Sequence, residues 1–349
     1  MTPLRLHLNE SPVPPSPRAV AAMQAAAAEV HRYPDNEPAA LSAALSASLG
    51  VRPSRLVFGN GSSELLLAAA QLALRPGDEA VAPVPSFPLY EKAIAIQRGW
   101  MIGVATTADG RVDVPAMLAA IGPRCRLVYA ATPNNPTGGL LDAAAVEALA
   151  RGVPDDVLLL LDEAYYEFGR DAGGPETLSI LGSRRGPWIA TRTFSKAQGL
   201  AGIRVGYGIA QSTALADAFR NLRLNFTLNH VAQAGALAAL ADDVHTRTVL
   251  AAAAVARAGL ATGLADLGFD VFPSATNFVT AHAPQPAAEL VRALAERGIL
   301  VMPFAWPGAP NVVRISVGST DDVAAVLTAL REILRGSGSA RPHSAAAAE

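Results

Sequence analysis

Five consecutive apolar residues, Val157-Leu158-Leu159-Leu160-Leu161, run straight into a carboxylate at Asp162. A run this short and uniformly apolar predicts a strand buried on both faces, as in parallel sheets covered by helices. The same unit recurs along the chain. Strands are predicted at 56–58, 79–82, 101–105, 127–131, 157–161, 188–192 and 205–210, with helices at 62–74, 89–97 and 143–150 between them. Two helices, 17–30 and 38–49, precede the first strand, and Tyr33-Pro34-Asp35 marks a turn between them. The alternation predicts an α/β fold built on a mostly parallel sheet flanked by helices. After Ser212 the pattern changes to long Ala/Leu helices reaching about 267. Strands at 277–279, 300–301 and 312–316 and helices at 287–297 and 321–334 then predict a smaller α+β domain.

Composition removes several classes. Lys+Arg 28 against Asp+Glu 30 leaves a net charge of -2, which speaks against a basic nucleic-acid footprint. Mean hydropathy is +0.27, yet apolar stretches are interrupted: 65–74 stops at Arg75-Pro76-Gly77, and 248–267 carries Arg257. Much of the apolar count is alanine, a helix former with little lipid affinity. We therefore expect no membrane partner. One cysteine, Cys125, allows no intramolecular disulfide and fits a reducing, cytoplasmic compartment.

Candidate chemistry collects where strands end. Asp162 closes a buried strand, at the edge where open α/β sheets bind ligands; capping the next helix is the alternative role. Thr193-Phe194-Ser195-Lys196 follows another strand, making Lys196 either a Schiff-base nucleophile or an ordinary surface lysine. Gly59-Asn60-Gly61-Ser62-Ser63 opens a helix whose first amides could receive an anion. Thr132-Pro133-Asn134-Asn135-Pro136-Thr137-Gly138 forms a fourth loop, and Arg204 precedes Val205-Gly206-Tyr207. Gly59-Asn60-Gly61 lacks the third glycine of a dinucleotide fingerprint, and no Gly-Lys pair exists for a nucleotide P-loop. The six histidines show no metal-ligand spacing, so no metal is expected.

Taken in order, seven motifs resemble the fold-type I pyridoxal-phosphate aminotransferases of class I/II, and within them the histidinol-phosphate aminotransferase group. They are Leu8-Asn9-Glu10-Ser11-Pro12, Arg32-Tyr33-Pro34-Asp35, Gly59 to Glu64, Asn135-Pro136-Thr137-Gly138, Asp162-Glu163-Ala164-Tyr165, Thr193 to Lys196, and Arg314-Ile315-Ser316-Val317-Gly318. The resemblance implies a large cofactor domain at 35–235, a smaller domain made from 1–34 and 236–335, and a flexible tail at 336–349. It also implies pyridoxal 5'-phosphate, with Lys196 holding it and shuttling the proton at the substrate α-carbon. Asp162 would keep the pyridine nitrogen protonated, and Tyr165 and Asn135 would bond the ring O3′. Ser62, Ser63, Thr193, Ser195 and Arg204 would hold the phosphate, and Phe87 would stack on the ring unless it is a plain core aromatic. Arg314 would clamp the substrate's acid group, with Asn9, Asn277 and Met302 lining the substrate pocket. Tyr33 would reach the cofactor of a partner subunit, which implies a homodimer; a local turn aromatic is the alternative. A cis peptide is expected before Pro136.

Two departures bear on substrate. Met302 stands where the group carries a second arginine, and Ser63 replaces its usual aspartate. Met302, Phe304 and Trp306 together could line an apolar pocket. The expected activity moves an amino group between an L-amino acid or amino-alcohol phosphate, histidinol-phosphate-like or aromatic, and a 2-oxo acid such as 2-oxoglutarate. A decarboxylase of a phosphorylated amino acid, of the threonine-phosphate type, and a non-catalytic pyridoxal-phosphate-binding protein are the alternatives.

Overall fold

The computed structural model describes residues 3–338. We number its strands β1 (Leu4–Arg5), β2 (Leu56–Gly59), β3 (Glu79–Val84), β4 (Trp100–Ala105), β5 (Cys125–Ala131), β6 (Leu158–Asp162), β7 (Trp188–Thr193), β8 (Gly206–Ala210), β9 (Asp270–Val271), β10 (Phe278–His282), β11 (Ile299–Leu300), β12 (Met302–Trp306) and β13 (Ala309–Ser316). Seven of them form one sheet in the order β2-β8-β7-β6-β5-β3-β4. All neighbours are parallel except β8, which runs antiparallel to both β2 and β7. All seven are the strands that the periodicity predicted. β6 is buried along its whole length, as its unbroken apolar run demands. Each leucine there contributes about 1.5–3 kcal/mol by leaving water.

The single reversed strand shapes the ligand-binding edge of the sheet. Because β8 is antiparallel, it starts at the edge where β2 and β7 end: Gly206 pairs with both Gly59 and Thr193. Arg204, just before β8, is thereby delivered to the edge that carries Asp162 at the end of β6. Gly206 is required there. A Cβ at this position would collide with the amide nitrogen of Ser62, so only glycine lets the helix Ser62–Ala73 begin directly against the sheet.

A second sheet, β12-β13-β10-β9, is antiparallel, and β1 pairs with β11 in parallel. Its core joins Leu6 to residues from 256 to 333, so the start of the chain is built into the C-terminal half. The helix Pro17–Ala27, expected from the sequence to belong with the smaller domain, instead places Ala19 in the core of the large sheet beside Leu41 and Leu45. The long helix Asp243–Asp266 is apolar and long enough to cross a membrane by length and composition. Here it packs Val249, Ala253, Ala256, Leu260 and Leu264 inward, and Arg257 donates to the Thr276 carbonyl at 2.8 Å. The last helix, Thr320–Gly338, runs past the end expected at 334 and takes in the first three residues of the expected tail. The remainder, 339–349, lies outside the described residues.

Candidate active site

The carboxyl ends of β2, β5, β6 and β7 surround a cavity of about 540 Å³ that the N-terminal segment and the β12–β13 hairpin close from the other side. Asp162 lies at its floor, only 5 % exposed. Its Oδ2 accepts from the Tyr90 hydroxyl at 2.7 Å, and its Oδ1 accepts from the Ala164 amide at 3.1 Å. No cation among the described residues offsets its charge there, so burial pushes the carboxyl up from its ordinary 3.8 to about 6 against the pull of those donors. Tyr90 was not anticipated from the sequence. It sits in the helix Leu89–Ile96, stacks on Tyr129 at 4.6 Å, and burial raises its hydroxyl well above the ordinary range.

Lys196 reaches the cavity from the turn after β7. Its Nζ donates to the backbone carbonyl of Asn9 at 2.9 Å and lies 5.6 Å from the centre of the Tyr165 ring. Burial, then the cation of Arg314, brings its ammonium down to about 8. Glu10 opposes that shift and Arg204 adds to it. A lysine in that range has an appreciable fraction of free amine near neutrality, the form that attacks a carbonyl. It is one of only two lysines in the chain, the other being Lys92.

Beside Lys196 lies an anion cradle. The helix Ser62–Ala73 starts after Gly61, at φ +72, with no side chain capping its first amides. Those amides need an outside acceptor. Ser62, Ser63, Thr193, Ser195 and Arg204 all line the cavity here, and Thr193 Oγ1 donates to Ser195 Oγ at 2.9 Å. Arg204 is itself in the left-handed region at φ 60, and its Nη2 packs so close over Gly61 that a Cβ there would collide with it. Phe87 lines the wall nearby, edge-on to Tyr90 at 6.1 Å.

The opposite wall belongs to the second sheet. Arg314, on β13, donates through Nη1 to Asn135 Oδ1 and through Nη2 to the His7 carbonyl at 2.8 Å. Its Nε is buried without a partner, so the guanidinium has unspent capacity for an acid group. The peptide between Asn135 and Pro136 is cis, as expected, and so are those before Pro85 and Pro133. Met302 is the direct register partner of Arg314, and Phe304 holds its ring 5.0 Å from the guanidinium carbon; both line the cavity. Trp306 does not. The register slips between Phe304 and Trp306, and the indole sits near Phe272 instead, so the apolar trio expected from the sequence is a pair.

Two other expected residues stand apart from this cavity. Asn277 lies behind it, donating from Nδ2 to the Asn9 carbonyl at 3.0 Å, and so holds the acceptor of Lys196 rather than lining the pocket. Tyr33 lies on the surface, 79 % exposed and stacked on Phe226 at 4.6 Å. Asn9 does line the cavity, at φ 54, with Nδ2 donating to the Tyr165 hydroxyl at 2.9 Å. A half-buried lysine, a buried carboxylate and an anion cradle with one arginine thus converge on one cavity.

Residues 2–330 match the family "Aminotransferase class I and II". The chain belongs to the class I and II aminotransferases. Among its relatives, "Histidinol-phosphate aminotransferase" from Methylobacillus flagellatus is 41 % identical over 333 residues, covering 95 % of this chain and 89 % of that one. "Histidinol-phosphate aminotransferase 1" from Mesorhizobium japonicum is 36 % identical over 330 residues, 95 % of this chain and 90 % of its relative. A crystal structure of histidinol-phosphate aminotransferase from Sinorhizobium meliloti, in complex with pyridoxal-5'-phosphate, superposes with a TM-score of 0.90 at 32 % identity, covering 96 % and 91 % of the two chains. The aminotransferase fold is therefore the α/β arrangement seen in this chain, and the chain is histidinol-phosphate aminotransferase-like.

Proposed function

We propose that this aminotransferase works through pyridoxal 5'-phosphate bound by Lys196, and that its donor carries an acid group against Arg314 and an apolar side chain against Met302 and Phe304. The observation that carries the reading is the meeting of Lys196, Asp162 and the anion cradle in a single cavity. The residues present fit the group. The uncapped amides after Gly61, with Arg204 and four hydroxyls, suit a phosphate, and Asp162 has no cation of its own among the described residues and needs one. When bound, this cofactor supplies an electron sink for the pair left on the substrate's α-carbon.

The chain's own groups then divide the work. Lys196 binds the cofactor covalently and afterwards takes and returns the proton at the substrate α-carbon. Asp162, held by Tyr90, keeps a proton on the ring nitrogen by remaining an anion beside it. Tyr165 and Asn135 hydrogen-bond the ring hydroxyl. Arg314 orients the substrate's acid group with the two-pronged geometry that a lysine lacks.

The choice of substrate rests on the Arg314 wall. Among the described residues only one guanidinium stands there, with Met302 opposite it in register. A phosphate dianion held by one arginine in place of two forgoes a charge-assisted contact of about 1.5–3 kcal/mol. Leu8, Met302 and Phe304 give in exchange a surface for an aromatic or aliphatic side chain. A 2-oxo acid such as 2-oxoglutarate would take the amino group up. The exposed Tyr33–Phe226 stack, with Leu224 also 79 % exposed, supports a homodimer in which Tyr33 reaches a partner's site. The single buried Cys125 supports work in the cytoplasm.

Single-turnover mixing of the cofactor-loaded protein with individual amino acids tests the reading, the product being the amino form of the cofactor. Aromatic or aliphatic amino acids should convert it faster than histidinol phosphate. Equal or faster conversion by histidinol phosphate would refute the substrate assignment, and carbon dioxide release without conversion would refute transamination.

A further inference from the structure

Tyr165 is given its direction by a hydrogen-bond chain that begins outside the cavity. Ser316 ends β13, two residues beyond Arg314 and on the same face of that strand, and it is only 2 % exposed. Its hydroxyl oxygen accepts from the Asn9 backbone amide at 2.8 Å, and its proton goes to Asn9 Oδ1 at 3.1 Å. That bond settles which way the Asn9 amide faces. Were the amide flipped, the buried serine proton would lose its acceptor. With Oδ1 committed to Ser316, Nδ2 points at the Tyr165 hydroxyl oxygen, 2.9 Å away. A donor already aimed at that oxygen leaves the phenol's own proton to point elsewhere, into the cavity that Tyr165 lines.

We propose that Ser316 is a positioning residue, which fixes the Asn9 amide so that the Tyr165 hydroxyl donates toward the cofactor and not away from it. The inference rests on the proposed cofactor site, and it adds a residue that touches neither cofactor nor substrate. The backbone at Asn9 is held independently, by Asn277 Nδ2 on its carbonyl and by the Ser316 amide on the Leu6 carbonyl at 2.9 Å. Loss of the serine hydroxyl therefore frees the side-chain amide to turn and takes the acceptor from the Asn9 backbone amide, while the two remaining bonds keep the segment in place. Turned, Asn9 would accept from Tyr165 and draw its proton out of the cavity. The charged and titratable groups facing Tyr165 are Asp162, Arg314 and Lys196; variants at position 316 change none of them, whereas Asn9→Asp adds a carboxylate, so its shift is read against that of Ser316→Ala, which adds no charge.

The test uses Ser316→Ala, Ser316→Thr, Asn9→Asp and the double variant Asn9→Asp/Ser316→Ala. An aspartate at position 9 can only accept, so it imitates the turned amide. In the cofactor-loaded protein, a phenol proton on the ring hydroxyl lowers the pH at which the lysine-linked chromophore titrates. Ser316→Ala and Asn9→Asp should each raise that pH by half a unit or more, Ser316→Thr should restore it, and the double variant should match Asn9→Asp alone. In cofactor-free protein with carbon-13 at the tyrosine ring carbon bearing oxygen, the Tyr165 signal should titrate higher in both single variants, because the Asn9 donor favours the phenolate. Wild-type chromophore and Tyr165 titrations in Ser316→Ala, or additive effects in the double variant, would overturn the proposal. If Ser316→Ala does not fold, Asn9→Asp against Ser316→Thr makes the same comparison. Failure of the protein to form any chromophore would count against the cofactor reading, while the cofactor-free titration would still decide the role of Ser316.

Discussion

Asp162→Asn should stabilise the cofactor-free protein and cripple the loaded one. The folded carboxyl titrates near 6 and the unfolded one near 3.8. Its proton affinity is raised by folding, so the folded state is penalised once the group ionises. The penalty is absent below about pH 4, grows as pH rises toward 6, and is complete above it. At about 1.4 kcal/mol per pH unit, it reaches about 3 kcal/mol at pH 8. Asparagine removes the charge but must place an NH₂ against either Tyr90 or the Ala164 amide, which returns about 1 kcal/mol. Urea unfolding of cofactor-free wild type and variant at pH 4 and pH 8 isolates the effect, because the histidines and other groups cancel in the difference. The variant should gain about 2 kcal/mol on wild type at pH 8 and lose its advantage at pH 4. With cofactor bound, the gain at pH 8 should vanish, since the ring nitrogen supplies the missing cation, and cofactor affinity should fall in the variant. Parallel unfolding curves at the two pH values would refute the view that Asp162 is an uncompensated buried carboxylate.

Other consequences are quicker to check. Arg314→Lys keeps the charge but loses the fork, so kcat/KM for an amino acid should fall about 10- to 100-fold in steady-state kinetics, with most of the loss in KM. Met302→Arg places a second guanidinium opposite Arg314, and competition assays should show inorganic phosphate and phosphorylated donors binding about tenfold more tightly. Because Lys196 titrates near 8, the rate of cofactor attachment to cofactor-free protein should climb between pH 7 and 9, in stopped-flow absorbance, and level off above. Tyr90→Phe takes the hydroxyl from Asp162 and should weaken cofactor binding several-fold, measured by fluorescence titration, while leaving the fold intact.

Much of this site was legible because it lies at strand ends. Asp162, Thr193 and Asn135 follow apolar runs whose period is unambiguous, and the ends of parallel strands share one edge of a sheet. Arg204 was legible by motif, but its place is explained by the reversal of β8, which no local pattern reveals. Tyr90 escaped notice because it is one aromatic on an ordinary amphipathic helix, and its partner is 72 residues away. β12 escaped because Pro303 interrupts it, a residue that edge strands tolerate and sequence patterns read as a break. The slip before Trp306 is likewise invisible in the alternation 302, 304, 306, which alone would put all three side chains on one face. β1 and β9 are two residues each, too short to carry any period. Asn277 was chosen by motif for the pocket and instead supports it from behind, a distinction that depends on the path of the N-terminal segment.

The most direct measurement exploits the scarcity of lysine. Cofactor-loaded protein is reduced with borohydride, digested, and its peptides weighed. The phosphopyridoxyl group should appear on Lys196 alone, and Lys196→Ala should carry none. A label on Lys92, or an unlabelled Lys196 in protein that has bound the cofactor, would contradict the assignment of this cavity as an aminotransferase active site.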